Sequence, residues 1–147
     1  MPTLTLQCRC GNLRGTATLT APATGNRVVC YCRSCQAFAR YLGQEDILDP
    51  QGGTDLFQLA PADLRFHRGQ EHLRCLRLTP TGTYRWYAAC CHTPVATSVS
   101  ARLPVVGLIH NLFDADERHD SLLGPVRYRI QGRDALAQPL QPNVDPG

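Results

Sequence analysis

The first ten residues alternate between apolar and polar side chains. Leu4, Leu6 and Cys8 are separated from one another by single polar residues, and this period of two predicts a half-buried β-strand. Gly11 predicts a turn after this strand, and the segment RGTATLT, residues 14–20, predicts a returning strand. The N-terminus therefore predicts two neighbouring strands joined by a short turn.

The rest of the chain has the pattern of short strands separated by turns. Further strands are predicted at residues 27–32, 55–59, 64–67, 73–78, 84–89, 95–100, 105–111 and 126–130. The segment TPTGT between two of these strands is typical of a hairpin turn. Short helices are predicted at residues 36–42 and 114–123. The pattern predicts a mainly β fold with several small antiparallel sheets and one or two short helices.

Composition and charge narrow the class of protein. The 147 residues, 43% hydrophobic and 18% charged, predict one globular domain over residues 1–135. Residues 136–147, rich in proline and polar side chains, are predicted to form a flexible tail. All 15 basic residues are arginine, and they form no basic run, so no nucleic-acid partner is expected. The start has no signal-peptide pattern and no apolar run approaches the ~20 residues that span a bilayer, so a cytoplasmic protein without membrane contact is expected.

The eight cysteines add the candidate chemistry. Seven of them fall into three clusters, CRC at 8–10, CYCRSC at 30–35 and CC at 90–91. Cys75 stands alone and is predicted to be a buried apolar residue. Disulfide frameworks are rare in cytosolic proteins, so the clusters predict another use of the thiols.

Strand geometry favours a metal over a disulfide. Two cysteines in a C-x-C pattern on one strand face have Cα atoms ~6.5–7 Å apart, which is at the limit for a disulfide. The same two thiolates can converge on one Zn²⁺ ion. Cys30, Cys32 and Cys35 therefore predict a zinc site. A redox dithiol of Cys32 and Cys35 is the alternative, but it leaves Cys30 without a role.

Counting the thiols divides them between two sites. Cys8 and Cys10 need two more ligands for a closed tetrahedral site, and Cys90 and Cys91 are the paired candidates. The sequence thus predicts one or two zinc ions. The first would have four thiolates and a structural role, and the second would have three thiolates and room for an outside ligand.

The segments CRCGNLRG (8–15), VVCYCRSC (28–35) and RWYAACCHTPVA (85–96) resemble the glutathione-dependent formaldehyde-activating enzyme family, which includes centromere protein V. The resemblance covers about the first 100 residues. It implies a zinc-stapled Mss4-like fold, a structural zinc at positions matching Cys8, Cys10 and Cys91, and a catalytic zinc at Cys30, Cys32 and Cys35. It also implies carbon–sulfur lyase chemistry, in which glutathione and formaldehyde combine to S-hydroxymethylglutathione or separate again.

The third segment departs from the family pattern. Ala88 stands where the family has its first cysteine, and His92 replaces a glycine. Cys90 is one candidate for the missing structural ligand, although two adjacent cysteines need a strained turn to bind one ion. His92 is the other candidate, with Cys90 then facing the second site.

A three-thiolate zinc would present a small thiol such as glutathione as a nucleophile toward an aldehyde. Arg33 lies inside the second cluster and is predicted to offset its negative charge or to bind a substrate carboxylate. Two other functions remain open on the sequence alone. One is a non-catalytic, zinc-stabilised binding module, and the other is a redox dithiol protein.

Overall fold

The alternation at the N-terminus becomes a strand whose apolar side chains are buried. The computed structural model describes residues 3–19, 27–99, 105–113 and 123–136. Its elements, in chain order, are β1 (Thr3–Gln7), β2 (Arg14–Thr18), β3 (Arg27–Cys30), α1 (Arg33–Tyr41), β4 (Thr54–Leu59), β5 (Leu64–Arg68), β6 (Leu73–Leu76), β7 (Tyr84–Ala88), β8 (Thr93–Ser98), β9 (Val106–Ile109) and β10 (Tyr128–Ile130), with short 3₁₀ turns between several of them. The predicted mainly β fold is confirmed.

The strands form two sheets. One has three strands in the order β1-β2-β5, and the other has seven in the order β10-β3-β4-β9-β8-β7-β6. The predicted hairpin around TPTGT is present, with Leu73 opposite Ala88 in the β6–β7 pair. The pairings are antiparallel except for β10, which lies parallel to β3. Neither the parallel pair nor the width of the larger sheet was predicted from the sequence.

The larger sheet buries both of its faces. On one face, Phe57 and Leu108 pack with Leu4 and Leu6 of the smaller sheet. On the other face, residues such as Leu56 pack beneath α1. Fully burying an aliphatic or aromatic side chain of this size contributes about 1.5–3 kcal/mol, so both cores stabilise the sheet between them.

Helix α1 is longer than predicted and begins earlier, at Arg33. Within the described residues, no helix combines the length and the apolar character needed to cross a membrane. The second predicted helix, at 114–123, lies outside the described residues except for its last position. The single domain over 1–135 stays a prediction. Of the predicted tail, only Leu136 is described, and its backbone N–H donates to the carbonyl of Gln51 at 2.8 Å.

Candidate metal centres

The first cysteine cluster joins the end of β1 to the turn between β7 and β8. Strand β1 ends at Gln7, so Cys8 and Cys10 lie in a turn rather than on the predicted strand face. The backbone N–H of Gly11 donates to the carbonyl of Cys8 at 3.0 Å, and Gly11 has a φ of +80°, which glycine adopts without strain. This tight turn places both thiols on the same side.

The four sulfurs of Cys8, Cys10, Cys90 and Cys91 lie within 4.8 Å of one another. The Sγ atom of Cys10 is 3.6 Å from that of Cys8 and 3.4 Å from that of Cys90, and Cys90 and Cys91 are 3.8 Å apart. Four sulfurs placed ~2.3 Å from one central zinc would be ~3.8 Å apart, whereas a disulfide needs ~2.05 Å. The cluster therefore fits a tetrahedral metal ion and contains no disulfide.

The structure shows where the side chains of the third segment, residues 85–96, lie. Ala88, at the position of the family cysteine, is fully buried in the core. Cys90 joins Cys8 and Cys10 and is not part of the second cluster, while His92 is exposed and contributes to neither group. His92, directly after the two adjacent cysteines, has a φ of +59°, which is uncommon for a residue other than glycine. That these thiols bind zinc stays a prediction.

Hydrogen bonds favour the thiolate form of Cys91, whereas the pKa values of Cys8 and Cys90 are raised, chiefly by burial. The backbone N–H of Leu13 donates to Cys8 Sγ at 3.3 Å, and the hydroxyl of Thr93 lies 2.9 Å from Cys91 Sγ. Burial by itself would raise the pKa of Cys91, but the hydrogen bonds, chiefly from Thr93, lower that pKa to about 6. A thiol with a lowered pKa loses its proton readily, as a metal ligand must.

The second cluster forms where β3 passes into α1. Cys30 is the last residue of β3, Cys32 is the N-cap of α1 and Cys35 lies in its first turn. Their three sulfurs lie within 4.8 Å of one another, and in the described part of the chain no fourth cysteine, histidine or carboxylate joins them. Three soft thiolate donors fit zinc, so both clusters can hold a metal ion.

The start of α1 favours negative charge on this cluster. The backbone N–H of Cys35 donates to Cys32 Sγ at 3.3 Å, and the positive end of the helix dipole stabilises anions nearby. The pKa of Cys32 is lowered to about 2, chiefly by hydrogen bonds from the thiols of Cys30 and Cys35. The proton that stabilises Cys32 in this way stays on its neighbour, so the pKa of Cys30 is raised.

A buried arginine faces the second cluster. Arg85 lies on β7, is only 3% exposed, and donates from Nη1 to Cys35 Sγ at 3.4 Å. Three thiolates around a divalent ion carry a formal net charge of about −1, which the guanidinium balances. Among the described residues, no carboxylate pairs with Arg85, so the thiols are its anionic partner. This pairing is the arrangement that a buried arginine requires.

The second cluster also forms one wall of a cavity of about 400 Å³. Four side-by-side residues on neighbouring strands line it: Arg85 is opposite Thr97, Thr97 is opposite Gly107, and Gly107 is opposite Gln58. Gly107 has no side chain and so leaves the middle of this row open. A Cβ at this position would lie only 3.1 Å from the hydroxyl of Thr97, closer than an ordinary van der Waals contact. The cavity can therefore accommodate a ligand beside the three thiols.

Two residues, Arg33 and Cys75, have other surroundings than predicted. Arg33 does not line the cavity; its side chain is 90% exposed and its Nε atom is 3.4 Å from Asp134. Cys75, predicted to be buried, is exposed on β6, because β6 is the edge strand of the sheet.

Sequence reasoning missed Arg85 and Gly107. Each carried a signal, since an arginine amid the apolar strand segment YRWYA and a glycine inside VVGLI are both unusual in buried strands. The alternation of apolar and polar residues does not predict that both residues line the same cavity as the cysteine cluster.

The fold and its two cysteine clusters define a mainly β protein with two candidate metal centres. The chain belongs to DUF6151, a family of unknown function, and the match covers residues 2–144. It is similar in fold to a crystal structure of a Rhodobacter sphaeroides protein, with a TM-score of 0.57 and 19% sequence identity over 84% of this chain and 97% of that chain. None of the curated proteins compared with the chain matches it.

Proposed function

We propose that the protein is a zinc enzyme that forms or breaks adducts between small thiols and aldehydes. In this proposal Cys8, Cys10, Cys90 and Cys91 hold a structural zinc, and the second cluster holds the zinc at which the reaction takes place. The resemblance of the three cysteine segments to the glutathione-dependent formaldehyde-activating family supports this reaction, with glutathione and formaldehyde as the substrates that it implies.

The observation that carries the proposal is the open side of the second cluster. Three thiols with a cavity on one side have space for a fourth ligand, whereas the first cluster has four thiols of its own. Catalytic zinc sites keep one position open, and structural sites are closed. This difference between the two clusters supports a reaction site at the second cluster and a structural site at the first.

The reaction needs no oxidant. The thiol sulfur forms a bond to the aldehyde carbon, the C=O π pair moves to oxygen, and that oxygen takes up the proton that the thiol releases. Bound zinc would supply the Lewis acid that keeps the substrate thiol ionised. Arg85 offsets the negative charge of the sulfurs, and Thr97 and Gln58 offer hydrogen bonds to the adduct's hydroxyl group from the cavity wall.

Exchange NMR tests this function. The zinc-loaded protein is added to a mixture of glutathione or another small thiol with formaldehyde, and the rate of exchange between free and adduct carbon is measured. We expect the wild type and Cys75→Ser to accelerate exchange, and Cys32→Ser to lose the acceleration together with one zinc ion. Wild-type protein that retains two zinc ions but leaves the exchange rate unchanged would refute the enzyme and favour a non-catalytic zinc module.

A further inference from the structure

We propose that the cavity beside the second cluster selects thiols that carry a carboxylate, and that Arg85 is the residue that determines this specificity. This inference rests on the proposed function, because it concerns the substrate thiol of the same site. It adds the chemical class of that thiol, a small mercaptocarboxylate, and a residue that recognises it.

Several hydrogen-bond donors of the Arg85 side chain are unused. A guanidinium carries five N–H groups. In the described part of the chain, the Arg85 side chain makes one hydrogen bond, from Nη1 to Cys35 Sγ, and its cation lies 5.7 Å from the centre of the Phe38 ring. None of the Arg85 nitrogens is among the fully buried polar atoms of the described residues that lack a partner, so its unused donors are accessible from the cavity that Arg85 lines.

The unused donors belong to a residue that lines the cavity. Arg85 ends the row that runs through Thr97 and Gly107 to Gln58 across the sheet, and it contacts the cysteines at the same time. A thiol bound next to Cys35 therefore has its carbon chain within reach of the guanidinium. A carboxylate can accept two parallel hydrogen bonds from one guanidinium, which a hydroxyl or an ammonium group cannot do.

The other described residues that line the cavity include no carboxylate. Apart from Arg85 and the three cysteines, the described lining residues are uncharged, and the polar ones among them are Gln58, Thr83, Thr97 and Ser98. The lining thus offers no carboxylate to an amine on the substrate. Arg85 and the start of α1 both favour anions, so the chain end of a bound thiol is best matched when it is negative.

Three small thiols of different charge test the selection, and the carboxylate and the amide among them are matched in size. Binding of 3-mercaptopropionate, 3-mercaptopropionamide and cysteamine to the zinc-loaded protein is measured by isothermal titration calorimetry at one pH. We expect the carboxylate to bind at least tenfold more tightly than the amide, and cysteamine to bind most weakly. Equal affinities, or tightest binding of cysteamine, would overturn the selection even if exchange NMR shows the proposed activity.

Variants then assign the selection to one residue. Arg85→Gln should reduce the carboxylate preference to less than threefold, and Arg85→Lys should restore part of it. Arg77→Gln, on the same hairpin but exposed, should keep the full preference. A preference that survives in folded, zinc-loaded Arg85→Gln would overturn the role of Arg85. If that variant does not fold, the three-thiol comparison on the wild type still decides whether the selection exists.

These measurements separate the inference from the function on which it rests. Loss of the carboxylate preference with accelerated thiol–aldehyde exchange refutes the inference alone. Absence of acceleration with every thiol, including the mercaptocarboxylate, refutes the proposed function.

Discussion

Removing Cys90 tests the closed four-thiol site most directly. The Sγ atom of Cys90 lies 3.4 Å from that of Cys10 and 3.8 Å from those of Cys8 and Cys91. It therefore contacts all three of the other sulfurs, and Cys90→Ala would leave a zinc ion bound there one ligand short. We expect this variant to lose zinc more easily than the wild type and to be less stable.

The size of the effect follows from the number of ligands. Structural zinc binding is worth about 10–16 kcal/mol in zinc-finger peptides, so one ligand in four contributes roughly 3 kcal/mol if the share is equal. That free energy corresponds to zinc binding that is weaker by a factor on the order of 100. For a chain of about this length, 1 kcal/mol shifts Tm by about 2–4 °C, so we expect Tm to fall by about 6–12 °C.

The assay compares Cys90→Ala with Cys75→Ala as the matched control. Cys75 is an exposed cysteine outside both clusters, so its removal should leave metal content and Tm unchanged. Zinc retention is measured against a chelator of known affinity, and Tm by circular dichroism. Equal zinc retention and equal Tm in the two variants would show that Cys90 is not a ligand. If His92→Ala then lost zinc and stability instead, His92 would be the fourth ligand.

Four further substitutions test other parts of the structure. Gly107→Val should weaken thiol binding at least tenfold in calorimetry with zinc content unchanged, because its side chain enters the cavity; unaltered binding would place the ligand elsewhere. Gly69→Ala should cost roughly 3 kcal/mol or more in urea unfolding, since its Cβ would lie 2.1 Å from the carbonyl oxygen of Asn12. Gly43→Ala shares the positive φ but meets nothing within 4 Å, so about 1–2 kcal/mol is expected, and equal costs would refute the steric argument. Arg33→Gln should change the free energy of unfolding by less than about 1 kcal/mol and leave the thiol–aldehyde exchange rate unchanged. A large fall in that rate would show that Arg33 takes part in the reaction.

Local patterns predicted the parts of the fold that depend on neighbouring residues. The alternation from Leu4 and the turn TPTGT predicted β1 and the β6–β7 hairpin, because side-chain period and turn chemistry are set within a few residues. The strand at Cys8 was predicted too long, since the turn at Gly11 begins earlier than the apolar pattern ends. Pairings between distant segments, such as β10 with β3, leave no comparable local pattern.

The candidate site divides in the same way. Cys30, Cys32 and Cys35 could be grouped from their spacing, because one turn between a strand and a helix brings them together. Placing Arg85 beside them required knowing which face of β7 meets α1, and that depends on the order of strands in the sheet. The burial of Ala88 and the exposure of Cys75 are likewise decided by neighbours that are far away in the sequence.

The two clusters differ in how much of the chain must fold before they exist. Cys8 and Cys10 meet Cys90 across 82 and 80 positions of sequence, so the four-thiol site forms only after β7 and β8 have paired and docked. The three thiols at 30–35 lie within six residues and are close together even in an unfolded chain. Metal bound by an unfolded chain stabilises the fold less. We therefore expect zinc to bind the local cluster early with little gain in stability, and zinc at the first cluster to stabilise only the folded chain.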